Sequence, residues 1–420
     1  MKKLLLGTAV LSLSAPFISI TSYAKEELTP SLRFSGETSV NYYMFNQSQR
    51  EGNGGKGNGN HIGLEDSRIN AEVFGKTEQF GGFEYSALIG LSGNPDDGNV
   101  QENRIKLKNE WGTLIGGNTR GVDDFMAFGG FSVMGATGGF AGNYTNILNQ
   151  TTGTIVTTNL AGASKDATKI IYVTPRINGV QAGIHFVPSA AHKGDHKLQS
   201  ASPSGAKSLP FDKNQVGVGI NFKETFSNGF DVKLSATSLL GTTQAPARLT
   251  VNQPVNYRNT QAYAIGAQFG YQGWEIGGEF IDNGKSQTPK QKFSLNGNNI
   301  QLDPVSGNDA GKAYDIALAY TYQKHKFALG YYGSSRKVET GYKKARTSIY
   351  SVTWDRKLAP GLGVYIGANR VIMKTDDRAA TDQANFKAAA SKLGLSTNDL
   401  QDGVKSNQAT IIEVGTKLRF

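Results

Sequence analysis

Asn103 to Phe131 reads NRIKLKNEWGTLIGGNTRGVDDFMAFGGF, and its alternation decides the fold. Ile105 and Leu107 alternate with Arg104, Lys106 and Lys108, so a period of two puts apolar side chains on one face of a strand and cations on the other. A sheet backed by a solid apolar core would not carry three cations there. The apolar face suits lipid and the basic face suits water inside a closed barrel. Asn109-Glu110-Trp111-Gly112 is a tight turn to a second strand, after which Gly121, Asp123 and Asp124 open a low-charge stretch reaching Ser164. A loop of about 40 residues is uncommon and usually functional. The stretch therefore predicts a pore wall followed by its constriction.

The same alternation recurs outward from this point. Ser31 to Gln47 sets Leu32, Phe34, Val40, Tyr42 and Met44 against Arg33, Ser35, Glu37, Ser39 and Asn41, and Asp66 to Thr77 sets Ile69, Ala71 and Val73 against Arg68, Asn70 and Glu72. Further on, Tyr263 to Tyr271 and Trp274 to Phe280 are separated only by Gln272-Gly273, and the last strand runs from Gln408 to Phe420. About sixteen strands are expected, with brief turns alternating with long polar loops, the asymmetry of a membrane barrel. A β-sandwich would show mixed connection lengths. Tyr42, Tyr271, Trp274, Tyr322 and Trp354 fall at strand ends, as interfacial girdles do. Asn385 to Leu395, inside the last long excursion, is the one stretch read as a short helix.

Composition agrees. The 420 residues include 52 Gly, 17 Tyr and 21 Phe but no Cys, which excludes disulfides and thiolate chemistry. Lys2 and Lys3 precede an apolar run, Leu4 to Ile20, and Ser22-Tyr23-Ala24 fits a cleavage site, so residues 1–24 are expected to be a secretory signal. Its loss takes two lysines from a formal charge of +10, leaving +8 on residues 25–420. No later run is long and apolar enough for a membrane helix.

The strand ATIIEVGTKLRF, with Ile412, Val414, Leu418 and Phe420 on one face, and the segment Arg104 to Asp124 resemble Gram-negative general porins, as does Asp66 to Glu78 with Arg68. The resemblance implies a transmembrane antiparallel all-β barrel in the outer membrane, an inward loop over about residues 119–167, Phe420 as an assembly signal, and a homotrimer. The frequent Pro-Glu-Phe-Gly run of that family's loop is absent.

Arg33, Arg68, Arg104 and Lys106 share the polar parity of early strands and Asp123 and Asp124 open the inward loop, so these six are the expected constriction. Opposed charges across a narrow aqueous gap orient polar solutes and filter ions. The expected function is passive diffusion of small hydrophilic solutes and ions, with weak anion preference. The alternative is a substrate-specific channel with a saturable ligand track. His192 and His196, in HKGDH with Asp195, have chelating spacing but sit in a polar loop with no third ligand evident, and Pro95-Asp96-Asp97 and Asp303 to Asp309 read as plain acidic loops, so no metal or cofactor is expected. No G-x-S-x-G, P-loop or H-E-x-x-H occurs, and no serine adjoins His61, His185 or His325, so no enzyme is expected. Dispersed cations argue against nucleic acid.

Overall fold

The computed structural model describes residues 30–48, 57–78, 82–93, 100–149, 154–191, 210–244, 256–288, 290, 293–295, 300–302, 309–337, 344–375 and 406–420. The expected signal, His192, Asp195, His196, Pro95 to Asp97, residues 303–308 and the expected helix at Asn385 to Leu395 lie outside these residues.

The strands are β1 (Ser31–Gln47), β2 (Asn58–Thr77), β3 (Phe83–Ser92), β4 (Val100–Asn109), β5 (Gly112–Asn118), β6 (Thr168–Val173), β7 (Val180–Ser189), β8 (Phe211–Thr225) and β9 (Asp231–Gln244). They continue with β10 (Thr260–Tyr271), β11 (Trp274–Asp282), β12 (Phe293–Leu295), β13 (Ile300–Leu302), β14 (Lys312–Tyr322), β15 (His325–Arg336), β16 (Ala345–Ala359), β17 (Leu362–Lys374) and β18 (Ser406–Arg419). Sixteen of them form one closed barrel of antiparallel neighbours, with β18 returning to β1. β12 and β13 form a separate two-stranded hairpin in the connection between β11 and β14.

Pairing is sequential because each brief turn folds a strand back on its predecessor. At Gln272-Gly273 both φ angles are positive, 46° and 86°, the geometry whose twist matches that of flanking strands and which glycine adopts at little cost. At the seam, Gly36 and Phe420 exchange backbone hydrogen bonds of 2.9 and 3.0 Å, and the Phe420 ring covers the space a side chain at Gly36 would fill.

The apolar parity faces outward: Phe34, Ile62, Ile105, Ile170, Ile265 and Leu329 are all exposed, whereas Asn41, Glu72, Gln268, Asp315 and Asn369 are buried. A water-soluble sheet protein has the opposite arrangement. Outward-facing Tyr322 and Trp274 lie by the short turns, while Tyr263, Tyr314, Tyr331 and Tyr350 form an upper belt in which Tyr331 and Tyr350 are 5.0 Å apart. Tyr314 and Tyr322 are eight residues apart on β14, about 27 Å along the strand and about 20 Å across a bilayer at a tilt near 40°. Among the described residues no helix is long and apolar enough to span a membrane, a fact silent on barrels.

The buried apolar cluster lies inside the barrel, where loop residues Val133, Met134, Phe140, Tyr144, Leu148 and Leu160 pack on wall residues Tyr43, Leu239, Tyr332 and Ile349. The sequence alone suggested a structureless loop between Gly121 and Ser164. It instead contains the helical turn α1 (Val122–Phe125) and short 3-10 turns at Gly130–Ser132, Gly139–Ala141 and Asn143–Asn146.

Candidate functional site

The basic wall comes first, because register fixes it. Arg33 pairs with Glu72, Glu72 with Leu88, Leu88 with Arg104, Arg104 with Gly117, and Gly117 with Lys169, so all six lie in one row across β1 to β6. Lumen parity thereby puts Arg33 and Arg104 on the inner surface within that row. Each expected cation has an acidic neighbour on the same wall. Arg33 bonds Glu72 and lies 5.4 Å over the Phe74 ring. Arg68 bonds Glu37 at 2.9 Å, and Glu37 also takes Arg419 at 3.0 Å and Lys417 at 3.5 Å. Arg104 Nε is 2.7 Å from Glu102, an ion pair without the alignment of a directed hydrogen bond. Lys106 is close enough to Glu72 to act on it through space. Glu37 and Glu72 were placed on the polar face by the sequence, but their pairing with the cations, and Glu102 altogether, were not expected, although inward parity in the same strands was the available signal.

The inward loop begins where Thr119 donates 2.7 Å to Glu102. Both ends are held by Lys169, a buried side chain whose Nζ donates to the carbonyls of Thr119 and Lys165. From α1 the chain travels along the inner wall. Phe128 N–H donates to Ser235 on β9 at 2.9 Å, Gly130 N–H to Asp315 on β14 at 2.7 Å, and Ala136 N–H to Asp355 on β16 at 2.6 Å. Gln47 on β1 reaches Ile147 and Asn149 at 2.9 and 2.8 Å. The returning limb takes bonds from Ser334 to Ile155, from Gln215 to Gly162, and from Ala161 to Asn283, at 2.6 to 2.7 Å. These contacts hold the loop beyond its root to β1, β8, β9 and β14–β16, and none of them reaches the basic face of β2–β4.

The two acids expected at the constriction are placed differently from each other. Asp124 is half-exposed and pairs with Arg120 at 3.3 Å. Asp123 turns into the wall, 7% exposed, with Oδ1 3.7 Å from His185 Nδ1, an atom that accepts the Val122 N–H at 3.1 Å. Burial, with Asp124 beside it, pushes the Asp123 carboxyl up to about 6. Residues 125–164 contain no charged side chain, so the loop brings Arg120, Asp124, Lys165 and Asp166 to a polar recess of about 570 Å³ between its two ends. His61, His185 and His325 lie on three separate strands, with His185 closed under α1 and His325 outward against Trp354. Among the described residues no three His, Asp or Glu side chains gather as a metal set.

A family model described as Gram-negative porin matches residues 7–410. An uncharacterized protein of Rickettsia typhi is 27% identical over 294 residues, covering 61% of this chain and 58% of that protein. The chain thus spans less than two thirds of the length of that curated relative. The anion-selective porin of Comamonas acidovorans has a similar fold, with a TM-score of 0.55 at 15% identity over 93% of this chain and all of that one. The outer-membrane channel DcaP of Acinetobacter baumannii is similar at a TM-score of 0.56 and 10% identity, over 95% of this chain and all of that one.

Proposed function

Because this chain belongs to the Gram-negative porin family, we propose that it is an outer-membrane channel through which small hydrophilic solutes and ions diffuse passively, and that it is not an enzyme. The observation that supports this is the one-sided seat of the loop: it is pinned through Gly130 and Ala136 to β14 and β16, which lie across the barrel's strand order from the charged face of β2–β4. Sixteen strands give a barrel wide enough for an aqueous path.

Arg68 and Arg104, with Arg33 and Lys106 flanking them, supply the field on one side of the passage. Asp124 is the acid opposite, while Asp123 supports the loop from behind. With most of the loop uncharged, Asp123 withdrawn, and Lys417 and Arg419 adding to the wall cations that face Glu37, Glu72 and Glu102, the reading is weak anion preference, since charge at the narrow point outweighs the total. Assembly as a homotrimer and an assembly role for Phe420 belong to the same reading.

A planar-bilayer recording tests it: ohmic, unsaturating conductance with a reversal potential on the anion side is expected, and a protein that inserts without conducting overturns it. The recess joining Arg120 and Asp124 to Lys165 and Asp166 favours one second reading, a ligand track. Flux that saturates for one solute alone would select that reading.

A further inference from the structure

The outer surface carries a feature that conduction does not use. Across β11 and β14–β17 runs a trough of about 610 Å³ lined by Trp274, Leu318, Phe327, Leu329, Val352 and Trp354. These side chains point outward; Phe327, Leu329 and Val352 are all exposed. Ala368, small among larger neighbours, keeps the floor low. At the turn end, Trp354 Nε1 donates 3.2 Å to His325 Nδ1, fixing the indole upright beside the groove.

Beyond His325 the rim is cationic. Lys324, Arg356 and Lys357 are exposed, and the Lys357 N–H donates 2.9 Å to the Lys324 carbonyl, which latches the β14–β15 turn to the end of β16. Arg356 stands opposite His325 in the register, on the outward parity it shares with Trp354 and Val352. The nearby acids are committed elsewhere: Asp355 accepts the loop amide of Ala136 inside the lumen, and Glu275 pairs with Lys326 at 2.6 Å. Among the described residues, Lys324 and Arg356 have no acidic partner.

We propose that this trough binds one anionic glycerophospholipid from the leaflet on the turn side of the barrel. An acyl chain lies along Phe327, Leu329 and Val352 between the two indoles, and the phosphate meets Arg356 and Lys324. Long basic side chains at the membrane boundary keep their stems on apolar surface and their charge at headgroup level, and aromatic rings favour the same depth. Cations unbalanced by acids discriminate a net-negative headgroup from a zwitterionic one. The site requires the barrel to be in a bilayer but does not depend on what crosses it.

Two of the three tryptophans line the trough, so the third, Trp111, is first replaced by Phe. The full chain is reconstituted in phosphatidylcholine vesicles containing a small fraction of acyl-brominated phosphatidylglycerol or acyl-brominated phosphatidylcholine. Brominated phosphatidylglycerol is expected to quench as though enriched on the order of tenfold at the trough. The Lys324→Ala, Arg356→Ala double variant is expected to quench equally with both lipids, with conductance unchanged. Equal quenching of the parent by the two lipids, or an undiminished preference in the double variant, overturns the proposal. Weak quenching by both means that a second copy covers the face, and overturns it too. Conductance from the same vesicles reports insertion separately, so failure of the channel reading and failure of the lipid site are told apart.

Discussion

The backbone N–H of Gly130 donates to Oδ1 of Asp315 at 2.7 Å, across 185 residues of sequence. The same oxygen accepts the Glu279 N–H at 3.0 Å, so one carboxylate ties the loop to two wall strands. Asp315→Ala leaves two buried donors unmet, each costing about 1–3 kcal/mol, whereas Asp315→Asn retains an acceptor of the same shape. The expected outcome is a noisier single-channel trace for Asp315→Ala, with brief excursions in conductance, and a near-normal trace for Asp315→Asn. Identical noise in both would mean that the loop is held elsewhere.

Charge at the passage gives a second prediction. Arg68 and Arg104 face the lumen from neighbouring parts of one wall, each beside a glutamate. Replacing both by Glu turns paired sites into clusters of like charge, and local potentials of several kT change counter-ion density about tenfold or more. The zero-current potential in a salt gradient should move to the cation side, while Asp123→Asn at neutral pH moves it little, because that side chain is almost wholly covered beside His185. A large shift from Asp123→Asn alone would contradict its placement against His185.

Strand parity was legible in the sequence because it is local: Ile105 and Arg104 declare their faces without reference to any other strand. Arg33, Arg68, Arg104 and Lys106 were singled out by the same rule, and Asp123 and Asp124 by their place at the start of the loop; the four cations lie on the inward parity of β1, β2 and β4. What periodicity could not convey is partnership between distant segments. Asp123 and Asp124 are adjacent and chemically alike, yet His185, 62 positions beyond Asp123, closes over one of them and leaves the other with Arg120. The wall glycines were equally opaque. Periodicity names no partner for Gly183, Gly219, Gly266 or Gly330, which the loop residues Met126, Phe128 and Phe140 approach.

The buried carboxyl of Asp123 makes the loop root sensitive to pH. Its proton is held up to about 6, from an ordinary value of 3.8. A raised carboxyl favours the folded root in the protonated form, so this contribution is complete below 3.8 and is lost as pH rises through about 6. Amide exchange across Val122 to Met126 should therefore slow between pH 7 and pH 5 after correction for intrinsic rates. Asp123→Asn, permanently neutral, should flatten that dependence and give slow exchange at both values. An unchanged pH profile in the variant would assign the titration to another group.

The last prediction concerns a missing side chain. A Cβ at Gly266 on β10 would lie 1.7 Å from the carbonyl oxygen of Phe128, a loop backbone atom that cannot rotate aside. Gly266→Ala therefore has to displace the loop inward from β10, at about 1–3 kcal/mol of overpacking. Gly116 supplies the contrast, since a Cβ there meets nothing within 4 Å. Both substitutions add one methyl to a strand glycine, so intrinsic strand preference cancels in the comparison. Gly266→Ala should lower conductance and the unfolding temperature while keeping the sign of ion preference, because the basic wall is untouched. Gly116→Ala should change neither. If Gly266→Ala conducts like the parent, the loop does not border the passage, and the one-sided seat that supports the channel reading is lost.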